Sequence, residues 1–367
     1  MRRALAPNTQ TRMENAEQKD RKRSQRRGSR GPTVADVARL AGVSPMTVSR
    51  VVNREQKVQS NTREKVEAAI SQLGYVPNLA ARSLAGGRQY RIALLHSNPS
   101  ASYLSEFLVG SLAEASALDA QLVLEYCADS ESTAALVQKV TKHRVDAVLL
   151  PPPLSDDDAL VSALHSAGFP IAQVATGAPA SFAVSVSIDD EAAAHALTSR
   201  LIDLGHRRIG LITGDSNQTV SALRRSGYRR ALQEAGLTAE ACLEVPGDFT
   251  YRSGFSATQK LLQLSPRPTA IFACNDDMAA AAIATAHRLG IDVPRELAVC
   301  GFDDTASATM IWPELTTARQ PVADMARLAT RLLVSILTGT LEAHLQHQQL
   351  DYTLVVRDSD ARSPVKA

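Results

Sequence analysis

Thr33-Val-Ala-Asp-Val-Ala-Arg-Leu-Ala-Gly-Val-Ser-Pro-Met-Thr-Val-Ser-Arg-Val-Val-Asn53 decides how this 367-residue chain is read. Thr33 is placed to cap a first helix in which Val34, Val37, Ala38 and Ala41 recur at helical spacing, and Gly42 supplies the left-handed residue that ends it. After a short turn, Ser44 caps a second helix with Pro45 at its first position, where a missing N–H is harmless. Val48, Val51 and Val52 form its inward stripe, so Pro45, Met46, Thr47, Ser49 and Arg50 face outward. This is a helix-turn-helix, an element that fits the DNA major groove. By itself it is equally an ordinary helical hairpin inside a larger core.

The neighbouring residues narrow the choice. Asn61-Thr-Arg-Glu64 has the pattern of a capping box for a third helix, with Val66, Ala69, Ile70 and Leu73 inward and Gly74 at its end. Three helices suffice for a small head at 32–77. Tyr75-Val-Pro-Asn78 then breaks the helix, and Asn78 is placed to cap a two-turn segment, Leu79-Ala-Ala-Arg-Ser-Leu-Ala85, too short to stand alone in water. From Tyr90 the pattern alternates, with strands at 91–96, 121–126, 147–150 and 171–174 and helices at 107–118 and 133–142. It then recurs, with a strand at 208–213, a helix at 224–235 and strands at 270–273 and 297–299. Arg91 and Arg208 are 117 residues apart, as are Gly110 and Gly227, which are read as preceding corresponding helices. Such alternation makes parallel βαβ units, here one fold used twice. The expected fold class is therefore a small all-α helix-turn-helix head with a hinge helix, joined to an α/β body of two similar doubly wound parallel-sheet lobes.

Charge is distributed unevenly. The net charge of +2 combines +11 over residues 1–90 with −9 over residues 91–367. A basic end on an acidic body suits a polyanion, because neutralising phosphates releases counterions. Residues 1–31 hold 10 basic residues and few apolar ones. They are expected to form a disordered basic extension. Cys127, Cys242, Cys274 and Cys300 lie far apart, without C-x-x-C spacing or clustered histidines, so reduced thiols are expected and no metal or cofactor is. No run has the length of a membrane helix, and the amino terminus lacks an apolar signal-peptide core. A cytoplasmic, nucleoid-associated protein is expected, with no membrane partner.

V-A-x-x-A-G-V-S, T-V-S-R-V-V-N, T-R-x-K-V, L-G-Y-V-P-N and A-x-x-L occur in that order between Val34 and Ala85, and this segment resembles the DNA-binding head and hinge of the LacI/GalR family of bacterial transcription regulators. The likeness continues through Leu204-Gly-His-Arg-Arg-Ile-Gly210, Cys274-Asn-Asp-Asp-Met278, Gly301-Phe-Asp-Asp304 and Leu315-Thr-Thr-Ala-Arg-Gln-Pro321, covering roughly residues 33–357. The extension before the head departs from the family pattern; either it adds phosphate contacts or Met13 is the start of the protein.

The resemblance implies a homodimer on a pseudo-palindromic double-stranded operator, with helices 105–118 and 322–337 as dimer faces. Arg50 would read a guanine, Pro45 and Met46 apolar base edges, and Thr47, Ser49 and Asn53 would hold phosphates. Thr33, Tyr75, Asn78 and Ala81 complete the DNA-contact set. Leu84 takes the place of the leucine that wedges into the minor groove, a step that makes central-base deformability part of specificity. The body, 90–358, would bind a small-molecule effector, a mono- or oligosaccharide, through Arg224, Asn275 and Asp303, with Tyr103 and Phe249 stacking on the sugar and Gln320 beside the cleft. Asp276 and Asp277 are assigned to capping the next helix. Residues 78–89 would be hinge and linker, and 359–367 a polar tail.

The expected function is a repressor of a carbohydrate-utilisation operon released by its effector. Alternatives are an effector that acts as corepressor, of purine or phosphosugar type, and a stand-alone sugar-binding protein. An enzyme is disfavoured: no nucleophile elbow, P-loop, dinucleotide fingerprint or metal spacing occurs, and no catalytic residue is assigned.

Overall fold

The computed structural model describes residues 32–52, 58–75, 89–128, 130–341 and 346–362. Asn53, Asn78, Ala81 and Leu84 lie outside the described residues, as do the hinge segment 78–88 and the extension 1–31. The chain divides into one unit ending at Gln89 and another beginning at Tyr90.

In the first unit, α1 (Val34–Ala41), α2 (Pro45–Val52) and α3 (Ser60–Leu73) pack around Val37, Val48 and Val66, all fully buried. Thr33 caps α1 in a full capping box with Asp36, whose carboxylate accepts the Thr33 N–H at 3.0 Å. Such a cap is worth about 1 kcal/mol. Ser44 Oγ accepts from Thr47 N at 3.1 Å and so caps α2. The start of α3 differs from the sequence expectation: Asn61 lies inside the helix, and Gln59 at the cap makes no side-chain bond to it. Tyr75 is 7% exposed and packs in the head core, with its backbone N–H closing α3 onto Ile70 O at 3.0 Å.

The body holds two six-stranded sheets of the same design. In the first, β1 (Arg91–His96), β2 (Gln121–Tyr126), β3 (Ala147–Leu150), β4 (Ile171–Val174), β5 (Val184–Ser187) and β11 (His347–Gln349) run in the order 2-1-3-4-5-11, all parallel. In the second, β6 (Ile209–Thr213), β7 (Glu244–Pro246), β8 (Ala270–Ala273), β9 (Ala298–Asp303), β10 (Thr316–Arg319) and β12 (Thr353–Val355) run 7-6-8-9-10-12, with only β12 antiparallel. Strands buried on both faces read as continuous apolar runs, which is why 147–150 and 270–273 are so plain in the sequence. The chain changes lobes after β5, after β10 and after β11. Thus α7 (Asp190–Asp203) packs on the second sheet and α11 (Val322–Leu337) on the first.

Several helices begin earlier than expected. α4 (Ala101–Ala117) starts behind Ser100, whose Oγ accepts from Tyr103 N, and α8 (Thr219–Glu234) starts five residues before Arg224. Gly110 and Gly227 lie in the middle of these helices, not before them. A Cβ on Gly110 would meet Ala323 O at 2.0 Å, and one on Gly227 would meet Glu191 O at 2.1 Å. The 117-residue repeat thus marks two equivalent helix crossings, α4 on α11 and α8 on α7, at which two backbones touch. β9 runs on to Asp303 instead of ending at 299. The expected tail is anchored at its start: Ser359 is fully buried, donating to Val299 O at 2.6 Å, and Arg200 holds Asp360 at 2.5 Å. On α11, Met325, Ala326, Ala329, Leu332 and Leu333 are buried in its own lobe, and Asp324 and Arg331 are exposed.

Candidate functional site

Ligands bind open α/β sheets beyond the carboxyl ends of their strands. Here the two sheets direct those ends into one cleft, lined from both lobes. The first lobe contributes Asn98, Ser100, Tyr103, Pro152 and Ala175; the second contributes Gln218, Val220, Arg224, Phe249, Asn275 and Asp303; Gln320 follows β10 at a crossover. All six residues expected to touch an effector therefore line one cavity. Backbone strain collects there too. Of the six non-glycine residues with positive φ among those described, Ala175, Phe249 and Asp303 line the cleft. Such conformations cost about 1–3 kcal/mol each and persist only where the surroundings enforce them.

Arg224 organises the cleft floor. Burial of a guanidinium demands partners. Nε donates to Asp190 Oδ1 at 2.8 Å and Nη1 to Cys274 O at 2.6 Å, with Asp303 Oδ1 at 3.8 Å. Its planar head lies 3.7 Å from the centre of the Phe302 ring, so charge and π contacts act together. Neither Asp190 nor Phe302 was singled out in the sequence, since their value lies in contacts across 34 and 78 residues. Asn275 caps α10 (Asp276–Arg288), accepting from Met278 N at 2.9 Å, and donates to Phe249 O at 2.9 Å. The capping expected of Asp276 and Asp277 falls to this asparagine instead. Asp276 is buried and bonds Thr305 N and Thr317 Oγ1; Asp277 accepts from Ser100 and Ser307. They are freed for this because Asn275, at the cap position itself, already accepts from the helix amides.

Two wall groups are left without protein partners. Gln320 Nε2 donates to Asp303 Oδ1 at 2.5 Å, while its Oε1 is buried and unpaired; the buried Tyr103 hydroxyl has no partner either. A buried polar atom without a bond is costly. The two aromatic rings are nearly covered, Tyr103 stacked on Phe107 with centroids 6.3 Å apart and Phe249 against Gly214. Among the described residues no cluster of His, Cys, Asp and Glu is arranged to hold a metal ion, and no helix is long and apolar enough to cross a membrane.

Burial, opposed in part by Arg224, pushes Asp303 up from the usual carboxylate value to about 7. A raised folded-state value means that the folded protein holds a proton the unfolded chain has already released between pH about 4 and about 7. The wild type should therefore gain stability relative to Asp303→Asn as pH falls from about 8 to about 5. Urea midpoints of both proteins across that range check this; parallel profiles would mean that Asp303 ionises normally.

In the head, Met46 is 65% exposed, Pro45 and Arg50 are exposed, and Thr47 and Ser49 are half-buried. Thr47 Oγ1 lies 2.8 Å from Ser44 Oγ, so that hydroxyl is already engaged in the helix cap. Thr33 is exposed, with its hydroxyl bonded to Asp36 at 2.7 Å.

Residues 33–78 match the model of bacterial regulatory proteins of the lacI family, and residues 198–359 match the periplasmic binding protein-like domain. The HTH-type transcriptional regulator CelR of Thermobifida fusca is 38% identical over 331 residues, covering 86% of this chain and 97% of the relative. The ribose operon repressor of Escherichia coli K12 is 33% identical, covering 89% and 98%. Among solved structures, the lac repressor dimer bound to operator and the anti-inducer ONPF superposes with a TM-score of 0.71 at 30% identity, covering 90% of this chain and all of that one. A complex of CelR with cellobiose gives 0.69 at 35%, covering 89% and 99%.

Proposed function

Because the chain belongs to the lacI family of bacterial regulatory proteins, we propose that it is a dimeric repressor of a carbohydrate-utilisation operon, released from a pseudo-palindromic operator by a mono- or oligosaccharide. The observation that carries the sugar reading is the pair of buried, unpaired groups in the cleft, Tyr103 Oη and Gln320 Oε1. A hydroxyl both donates and accepts, so a polyol satisfies both atoms. Arg224, by contrast, is matched by Asp190 and Asp303. No surplus positive charge is left for a phosphosugar, which disfavours a phosphorylated corepressor. A binding protein rather than an enzyme is favoured, because among the described residues Asp303 is the one carboxylate lining the cleft, where sugar hydrolysis uses two, and no histidine, lysine or cysteine joins it. A protein of this kind works in the cytoplasm, on nucleoid DNA.

The dimer surface we assign is on the first lobe. Val109 and Leu112 stand exposed on α4, and Leu124 and Tyr126 are exposed on β2. Leu122 packs in the same core cluster as Phe107 of α4, and alternate strand residues share a face. The four side chains thus belong to one side of the lobe, and a second copy covers them. The exposed Pro45, Met46 and Arg50 read base edges; Thr47 and Ser49 contact phosphates.

Selection of bound duplexes by the full-length protein, followed by gel shifts with cellobiose and ribose added, tests the function. A recovered pseudo-palindrome released by one of the sugars is the expected result; random sequences recovered at every salt concentration would remove the specific-regulator reading. With that operator, Arg50→Ala should lose about 1–3 kcal/mol of binding and relax one base position. Unchanged affinity and site preference would take Arg50 out of base readout.

A further inference from the structure

We propose that Asp156 and Asp277 are two latches, one on each rim of the cleft, that hold the lobes closed as a single coupled unit and set how readily they part. The inference rests on the reading of the body as a two-lobed effector sensor.

At one rim the carboxylate of Asp156, in the first lobe, faces the start of α8 in the second. Oδ2 accepts from Thr219 N at 2.9 Å, and Oδ1 accepts from Thr219 Oγ1 at 2.9 Å and Thr176 Oγ1 at 2.6 Å. Gly177 N, also in the first lobe, donates to Thr219 Oγ1 at 2.7 Å. The α8 cap position, Gln218, makes no side-chain bond to its own helix. A helix start carries unpaired N–H groups and partial positive charge. α8 is therefore capped from the opposite lobe, and opening the cleft uncaps it.

At the other rim the direction is reversed. Asp277, in the first turn of α10 in the second lobe, accepts from Ser100 Oγ of the first lobe at 2.7 Å and from Ser307 Oγ at 2.7 Å. Ser307 Oγ in turn lies 3.1 Å from Ser102 Oγ of the first lobe. Ser100 is the cap of α4, so this latch joins two helix starts. Each latch is a charge-assisted set, stronger than neutral hydrogen bonds. Neither carboxylate lines the cleft itself. The pair thus sets the closed population, and with it the effector concentration needed, without touching the ligand.

Peptide-resolved amide exchange on the full-length protein, with neither effector nor DNA added, tests this. If the rims open together, Asp156→Ala should raise exchange about ten-fold or more at Gly177 and Thr219 and also at 103–104, beside the distant Ser100. Asp277→Ala should do the reverse, and Asp156→Asn, which keeps one acceptor oxygen, should fall between. Urea midpoints of each variant separate opening from global unfolding. Faster exchange confined to the mutated rim, with the far rim unmoved, would overturn the coupling. No sugar enters the measurement, so the latches and the sugar-responsive reading fail separately.

Discussion

Arg224→Met is expected to cost the body about 3–5 kcal/mol of folding stability and to abolish the effect of sugar on operator binding. The size of the loss follows from what remains. Asp190 and Asp303 are both buried, and burial already raises the value of each against Arg224, which opposes it. Without the guanidinium each must take up a proton or stay charged in a poor solvent. Phe302 loses its stacked partner as well. Methionine fills the space but supplies no donor for Cys274 O. Adding Asp190→Asn should return part of the stability and none of the sugar response, because the floor would be neutral yet still lack its fork of donors. Urea unfolding and gel shifts with the releasing sugar measure the two effects. A variant of full stability that still responds would show that Arg224 is a bystander.

The sequence carried the local parts of this arrangement and missed the distant ones. α1 and α2 are legible because cap, apolar stripe and stop lie within a few residues, and the strands because each is a short apolar run between polar turns. Residues following strand ends, Asn275 among them, were placed at the cleft on that logic. What failed has a common cause. The start of α8 was read five residues late because its cap comes from Asp156, 63 residues away in the other lobe. Asp190 is not legible as a site residue because nothing near it in the chain hints at Arg224, 34 residues away. Asp276 and Asp277 read as helix caps from their place after the strand; the fold gives the cap to Asn275, which also lines the cleft, and the acids to Thr305, Thr317, Ser100 and Ser307.

The repeat at Gly110 and Gly227 leads to the second large effect. On helix propensity alone, Gly→Ala inside a helix should stabilise by roughly 1 kcal/mol. Gly110→Ala and Gly227→Ala are nevertheless each expected to destabilise the body, because the added methyl would sit 2.0 Å from Ala323 O and 2.1 Å from Glu191 O. The obstructing atoms are backbone carbonyls within packed helices, so no rotamer change relieves the clash. Either α4 and α11, or α8 and α7, must separate by more than an ångström along much of their length. Overpacking of this kind costs about 1–3 kcal/mol, and more where neither side yields. The sign is the discriminating quantity: a gain in urea midpoint for either variant would mean that the helices are held apart by other contacts and that the glycines are incidental. The two should also differ in what else they disturb. α4 carries Tyr103 on the cleft and Val109 and Leu112 on the assigned dimer face, so Gly110→Ala should weaken self-association as well as stability. α8 carries Arg224 and the Asp156 latch contact, so Gly227→Ala should impair the sugar response while leaving the dimer intact. Sedimentation and sugar-dependent gel shifts, run on both variants at a temperature where each is still folded, separate the two helix crossings by function.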